Sequence, residues 1–256
     1  MNLKAFLAML ARDAHVARRN AIQIVLQTFL QPLMFVFIFG RVMVGSGYLP
    51  PSYKSLLLPG IMALSMVSTG IWAVAMPLIA EFQFTREIED RLLAPMEISW
   101  VAVEKVVAGT VQAILAGIMV IPCAWLLLRP GVELSMQTPL LFAGIALLVS
   151  LFSATGGLAL GCSVEQTHIG LMFILVVAPM IIFGCTYYPW SALANFPILQ
   201  KAVLLNPMVY ASEGLRATLA PQFPHLSLVA VTCGLIAFNA LLFTVGLRQF
   251  HRKAVS

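Results

Sequence analysis

Charge is what this sequence has least of. Only 10% of its 256 residues are Asp, Glu, Lys or Arg, while 61% are hydrophobic. A soluble globular domain carries about 25% charged residues, and a soluble fold of this length has no core able to hide so much apolar surface. A bilayer removes the difficulty, because lipid tails take the place of that core. Cysteine is also sparse: Cys123, Cys162, Cys185 and Cys233 all fall inside apolar runs, where cysteine behaves as a small hydrophobe. A disulfide between Cys123 and Cys185 stays open at this stage. No C-x-x-C, H-E-x-x-H or G-x-S-x-G occurs, so the sequence offers no zinc-site spacing or nucleophile elbow. The phosphate-binding pattern G-x-x-x-x-G-K-[ST] is missing too, so this chain does not bind ATP by that route. The apolar runs hold almost no ionisable residue, which leaves no buried proton relay. Any energy for work must come from elsewhere. A cleaved signal peptide is not expected, because the basic N-terminal region reaches Arg19 and the following apolar run is too long.

What is present is a series of long apolar runs. A transmembrane helix needs about 20 mostly apolar residues. Residues 21–40, 55–80, 106–128, 139–162, 169–188 and 226–247 meet that requirement, and predict one all-α polytopic membrane domain of six spans over residues 1–256. Residues 1–20 differ. Leu3, Phe6, Leu7, Leu10, Ala14 and Ala17 recur at helical spacing, with Lys4, Arg12, Arg18 and Arg19 mostly off that stripe. This predicts an amphipathic helix lying along a membrane surface.

Six spans place both termini on one side, and basic residues say which. Lys4, Arg12, Arg18, Arg19, Arg86, Arg91, Lys105, Arg248, Arg252 and Lys253 fall on the side of the termini; Arg41, Lys54, Arg129, Lys201 and Arg216 fall on the other. The two-to-one excess predicts cytoplasmic termini. Tyr48, Tyr53, Trp125, Tyr187, Tyr188 and Trp190 gather near the predicted outer ends as an interfacial belt. The net charge of +5 is explained by this topology, so nucleic acid is not an expected partner.

Three segments carry candidate function. Residues 81–105 hold nine of the 25 charged residues, including Arg86, Glu87, Glu89, Asp90 and Arg91. Connections between helices are commonly two to eight residues. Here Phe84, Ile88, Leu92 and Met96 repeat every four residues, and Pro95 should end a helix near Ala94. The pattern predicts a short helix on the inner face, presented to a cytoplasmic partner. Residues 189–220 are apolar yet broken by Pro189, Pro197 and Pro207. Two short re-entrant helices would fit, since non-helical backbone at membrane depth survives only where protein or a water cavity satisfies it. In the first span, Gln23, Gln27 and Gln31 share one helical face. They read either as glue between helices or as the lining of a substrate path. Glu165 and His168 are the one acid–imidazole pair near a membrane face. They are the basis for an alternative reading as an intramembrane lipid-modifying enzyme. A passive channel would need charged rings or filter loops.

Three stretches then carry a resemblance. These are Gln31-Pro32 with the aromatic run to Phe39-Gly40, LLLPG at 56–60 leading into Glu89-Asp90-Arg91-Leu92-Leu93-Ala94-Pro95, and Asn206-Pro207-Met208-Val209-Tyr210 followed by Arg216. In this order they resemble the permease subunit of a bacterial ATP-binding-cassette exporter, in the short six-helix class that includes drug-resistance, nodulation-factor, lipid and polysaccharide exporters. The stretch around Thr186 to Phe196 departs from the family pattern. The resemblance implies a pair of permeases, identical or paralogous, in the inner membrane, seated on two cytosolic ATPases that hold the ATP and Mg. It implies ATPase coupling through Arg86, Glu87, Glu89, Asp90, Arg91, Leu92, Leu93 and Pro95. It implies an outer gate around Tyr187, Tyr188, Pro197, Pro207, Tyr210, Glu213 and Arg216. No cofactor is expected in this chain, and membrane lipids surround it.

Overall fold

The computed structural model describes residues 3–19, 30, 32–83, 97–128 and 138–255. Among the described residues the chain is all-α, with no strand. In chain order the elements are α1 (Leu3–Arg19), α2 (Pro32–Met43), α3 (Tyr53–Gln83), α4 (Ile98–Leu128) and α5 (Pro139–Ser163). Then come α6 (Ile169–Ile182), α7 (Pro197–Ala202), α8 (Pro207–Leu219) and α9 (Leu228–Val255). Helices α3, α4, α5 and α9 are long and apolar enough to cross a membrane, and α2 and α6 are shorter apolar helices. The protein is a polytopic α-helical membrane protein.

Helix α3 is the centre of the bundle. It packs on α4 and α5, and α5 packs in turn on α9. Leu57, Ile61, Leu64 and Val67 of α3 meet Val120 and Ala124 of α4, Val149 and Phe152 of α5, and Leu215 of α8 in one buried cluster. Lipid tails are as apolar as leucine, so helices in a bilayer associate through close packing and polar contacts. Both are visible here. Gly157 and Gly161 lie one turn apart on α5. A Cβ at Gly157 would stand 2.7 Å from the Ile71 carbonyl oxygen of α3, and one at Gly161 would stand 2.9 Å from the Ala75 Cα. On the other side of α5, the Asn239 amide of α9 donates to the Leu148 carbonyl at 3.1 Å and accepts from the Thr155 hydroxyl at 3.4 Å.

Several boundaries differ from the apolar runs. Helix α4 starts at Ile98, ahead of the apolar run that begins at 106. Helix α9 continues through the basic residues to Val255. Helix α2 passes Arg41, and its Val36–Met43 stretch winds in widened i→i+5 turns, as does Phe173–Val177 in α6. Such turns interrupt regular winding and mark functional sites in many helices. Pro59 and Pro77 lie inside α3 and Pro122 inside α4; membrane helices tolerate proline because neighbouring helices re-satisfy the freed backbone groups. All four cysteines are free thiols, so the Cys123–Cys185 disulfide does not form.

Candidate functional site

The bundle has two polar ends. One holds both chain termini, because α1 and the last turns of α9 both pack beside the first turns of α4. Phe6 of α1 meets Trp100 edge to face at 6.3 Å. Ser99 and His251 are hydrogen-bonded at 2.9 Å. Phe250 is fully buried beside Phe82, with ring centroids 5.6 Å apart. Lys253 lies over the Phe82 ring at 5.7 Å and donates to the Val164 carbonyl at 3.4 Å.

At the centre of this end is a knot of three charges. The Lys105 ammonium donates to Glu81 Oε1 at 2.7 Å and to Asp13 Oδ2 at 2.8 Å. The side chains are 3%, 8% and 17% exposed respectively. Glu81 is in the last turn of α3, Lys105 in the first turns of α4, and Asp13 on α1. The knot therefore ties the two helices that flank residues 84–96 to each other and to the N-terminal helix. Glu104, next to Lys105, is also fully buried. Removing charges from water costs several kcal/mol per ion, so such groups persist only where partners are well placed.

The opposite end is built from α7, α8 and the turns around them. Pro197 opens α7 and Pro207 opens α8. Proline suits the first turn, where its missing N–H costs nothing. The Asn206 side chain caps α8 by accepting from the Met208 N–H at 3.0 Å, and donates to the Met180 carbonyl at 2.7 Å. Helix α8 is mostly buried, and holds an ion pair with both side chains at 0% exposure, Glu213 with Arg216. Glu213 also accepts from the backbone N–H groups of Trp190 and Leu226, each at 2.9 Å. Arg216 donates to the Cys185 carbonyl at 2.8 Å. Cys185 sits at φ +52°, a left-handed conformation uncommon outside glycine. One buried pair thus fixes the turn after α6, the start of the following 3₁₀ turn (Trp190–Asn195) and the approach to α9. Tyr210 donates to the Leu204 carbonyl at 2.9 Å, closing the short connection between α7 and α8.

Beside this pair stands an aromatic cluster. Tyr187 lies 5.0 Å from Phe35 and 5.4 Å from Phe39 of α2, ring to ring. The Tyr53 hydroxyl of α3 donates to the Tyr187 carbonyl at 2.7 Å. Gly60 presses on the Thr186 backbone so closely that any Cβ would collide with it. The aromatic run of α2 and the LLLPG stretch of α3 therefore meet at the 185–188 turn. Tyr188 packs with Trp190 around Cys185 and Val209.

Of the residues singled out in the sequence, Tyr187, Tyr188, Pro197, Pro207, Tyr210, Glu213 and Arg216 gather at this far end. Gln23, Gln27, Gln31, Arg86, Glu87, Glu89, Asp90, Arg91, Leu92, Leu93 and Pro95 lie outside the described residues. Glu165 and His168 stand on an exposed turn, 4.0 Å apart at the nearest atoms and largely in solvent. Sequence reasoning missed the Asp13–Lys105–Glu81 knot. Lys105 entered only as a topology marker. Its signal was a charge at each end of adjacent apolar runs, Glu81 closing one and Lys105 opening the next.

Residues 4–220 match the family model described as ABC-2 type transporter. The chain belongs to that family. It is 24% identical over 212 residues to the "Inner membrane transport permease YadH" of Escherichia coli K12, covering 80% of this chain and 79% of the relative. The protein of the same name from Shigella flexneri matches equally, at 24% identity over 80% of this chain and 79% of its own length. In this family member, the matched stretch takes in α1, the knot at Lys105, the aromatic cluster and all of α8, and stops short of α9.

Proposed function

We propose that this chain is the permease subunit of an ATP-driven exporter of the bacterial inner membrane, moving a hydrophobic or amphipathic solute (a drug, a lipid or a glycoconjugate) outward. The observation that carries the reading is the family match over residues 4–220, together with a long charged connection, residues 84–97, leaving the bundle at the end that holds both termini. That end faces the cytoplasm by the excess of Lys and Arg, and six crossings follow if α2 and α6 each continue a membrane span. The E. coli relative is itself named an inner membrane transport permease, in keeping with that location.

The energy comes from a separate cytosolic ATPase, which holds ATP and Mg. The 84–97 connection, the middle of the charged 81–105 stretch, is the coupling segment, with Arg86, Glu87, Glu89, Asp90, Arg91, Leu92, Leu93 and Pro95 seated against that ATPase. Two permeases, identical or paralogous, face each other. The exposed apolar side of α6, with Leu171, Ile174 and Leu175, offers surface for such pairing. ATP binding draws the two ATPases together and the coupling segments follow. The far-end hairpin of α7 and α8 acts as the outer gate, and Gln23, Gln27 and Gln31 line the path. Two conformations with different affinity for the solute suffice for this scheme.

The test is co-purification from native membranes in mild detergent, with wild type beside a Glu87→Lys/Asp90→Lys variant. The expected result is a stoichiometric partner with a phosphate-binding loop that stays with the wild type and is lost from the variant. A chain that purifies alone, or with the same partners in both forms, overturns the reading.

A further inference from the structure

We infer that Lys105 is a positioning residue for energy coupling: through Glu81 and Asp13 it makes α1 and the two feet of the coupling segment move as one body. The inference rests on the reading of residues 84–97 as the ATPase-facing segment. Helix α3 is described as far as Gln83, and α4 begins at Ile98. A segment hung between two independent helices would spend any push in bending its own feet apart. The 2.7 Å bond between Lys105 and Glu81 closes that opening at its base. The 2.8 Å bond to Asp13 adds the N-terminal helix to the same unit.

The surrounding contacts favour a direction-specific fastener over simple packing. Apolar contacts already hold these elements: Met9 of α1 and Phe82 of α3 both pack against the buried cluster that holds Val101, Ala102 and Phe250, and Phe6 meets Trp100. Replacing a buried ion pair by hydrophobic residues of similar volume is often neutral or stabilising, so stability alone does not call for three charges here. Charges fix register instead. An ammonium shared by two carboxylates on different helices is satisfied in one arrangement, and a slide by one turn (~5.4 Å) would break both bonds. Cohesion is left to the apolar residues, and register to the knot.

The test uses the permease with its co-purified ATPase in lipid nanodiscs, in a Cys123→Ser/Cys233→Ser background, with Ser191→Cys in the 3₁₀ turn before α7 as reporter. The rate of labelling by a hydrophilic maleimide is measured without nucleotide and after trapping with ATP and vanadate. Wild type at position 105 should change its labelling rate on trapping. The charge-neutral triple Asp13→Asn/Glu81→Gln/Lys105→Met should fold, keep its ATPase and lose that change. The charge-inverted triple Asp13→Lys/Glu81→Lys/Lys105→Glu should recover it. A neutral triple that still responds like the wild type overturns the inference, as does an inverted triple that stays silent with its ATPase bound. If the neutral triple does not fold, the inverted triple decides alone by the same rule. If the wild-type complex itself never responds to nucleotide, the exporter reading falls and takes this inference with it. A responsive wild type beside a responsive neutral triple removes the inference alone.

Discussion

The two polar ends of this bundle hold their charges differently. At the far end, Glu213 and Arg216 lie on one helix, are completely buried, and spend their hydrogen bonds on backbone groups at Cys185, Trp190 and Leu226. That arrangement sets the shape of loops. At the end holding the termini, Lys105 joins carboxylates from two other helices, one of them partly exposed. That arrangement sets helices relative to each other. A loop fastener and a helix fastener should fail in different ways, the first by loss of fold and the second by loss of communication.

The largest effect should come from Glu213→Gln. It leaves a buried guanidinium without its counter-charge, and removing one partner of such a pair costs about 3–5 kcal/mol. Thermal unfolding in detergent should show a clear loss of folded protein. Lys105→Met comes next, at about 3 kcal/mol, the lower end of that range because Asp13 already reaches solvent. If Lys105→Met proves the more damaging, the contrast between the ends is inverted.

A smaller effect separates packing from charge. Gly60→Ala drives a methyl into the Thr186 backbone, and overpacking costs about 1–3 kcal/mol. Gly144→Ala on α5 meets nothing within 4 Å and should leave unfolding unchanged. Equal behaviour of the two would mean that α3 does not brace the 185–188 turn. The smallest effect is expected of Ser99→Ala, which removes one partly exposed hydrogen bond to His251, about 0.5–1.5 kcal/mol. The same unfolding assay reads it.

Much of this arrangement was legible in the sequence, for reasons that can be named. The all-α membrane class followed from scarce charge. Pro197 and Pro207 read in the sequence as breaks in an apolar stretch; in the fold each opens a short helix, as the local rule for proline at a first helical turn allows. Asn206 as a cap obeys another local rule. The Lys105 knot was not legible, since Asp13 lies 92 residues from it in sequence and no local pattern encodes such a pairing. Asp13 even sits on a helix otherwise read from its apolar stripe and its arginines. Asn239 was missed for the same reason: one amide within an apolar run does not announce a partner 91 residues away. The Glu213–Arg216 pair was nearer to reach, being spaced i, i+3 on one helix. Its backbone partners depend on loops that only the folded chain brings together.

The central claim is that the two ends face different partners, and a photo-crosslinking amino acid tests it most directly. Placed at Leu92 in the proposed coupling segment and separately at Ile198, which is highly exposed at the far end, it would be activated in intact cells. Adducts would be identified by mass spectrometry. The account predicts an adduct with an ATPase bearing a phosphate-binding loop from Leu92 and none from Ile198. Capture of that ATPase from Ile198, or its absence from Leu92 while the protein is folded and in the membrane, would contradict it.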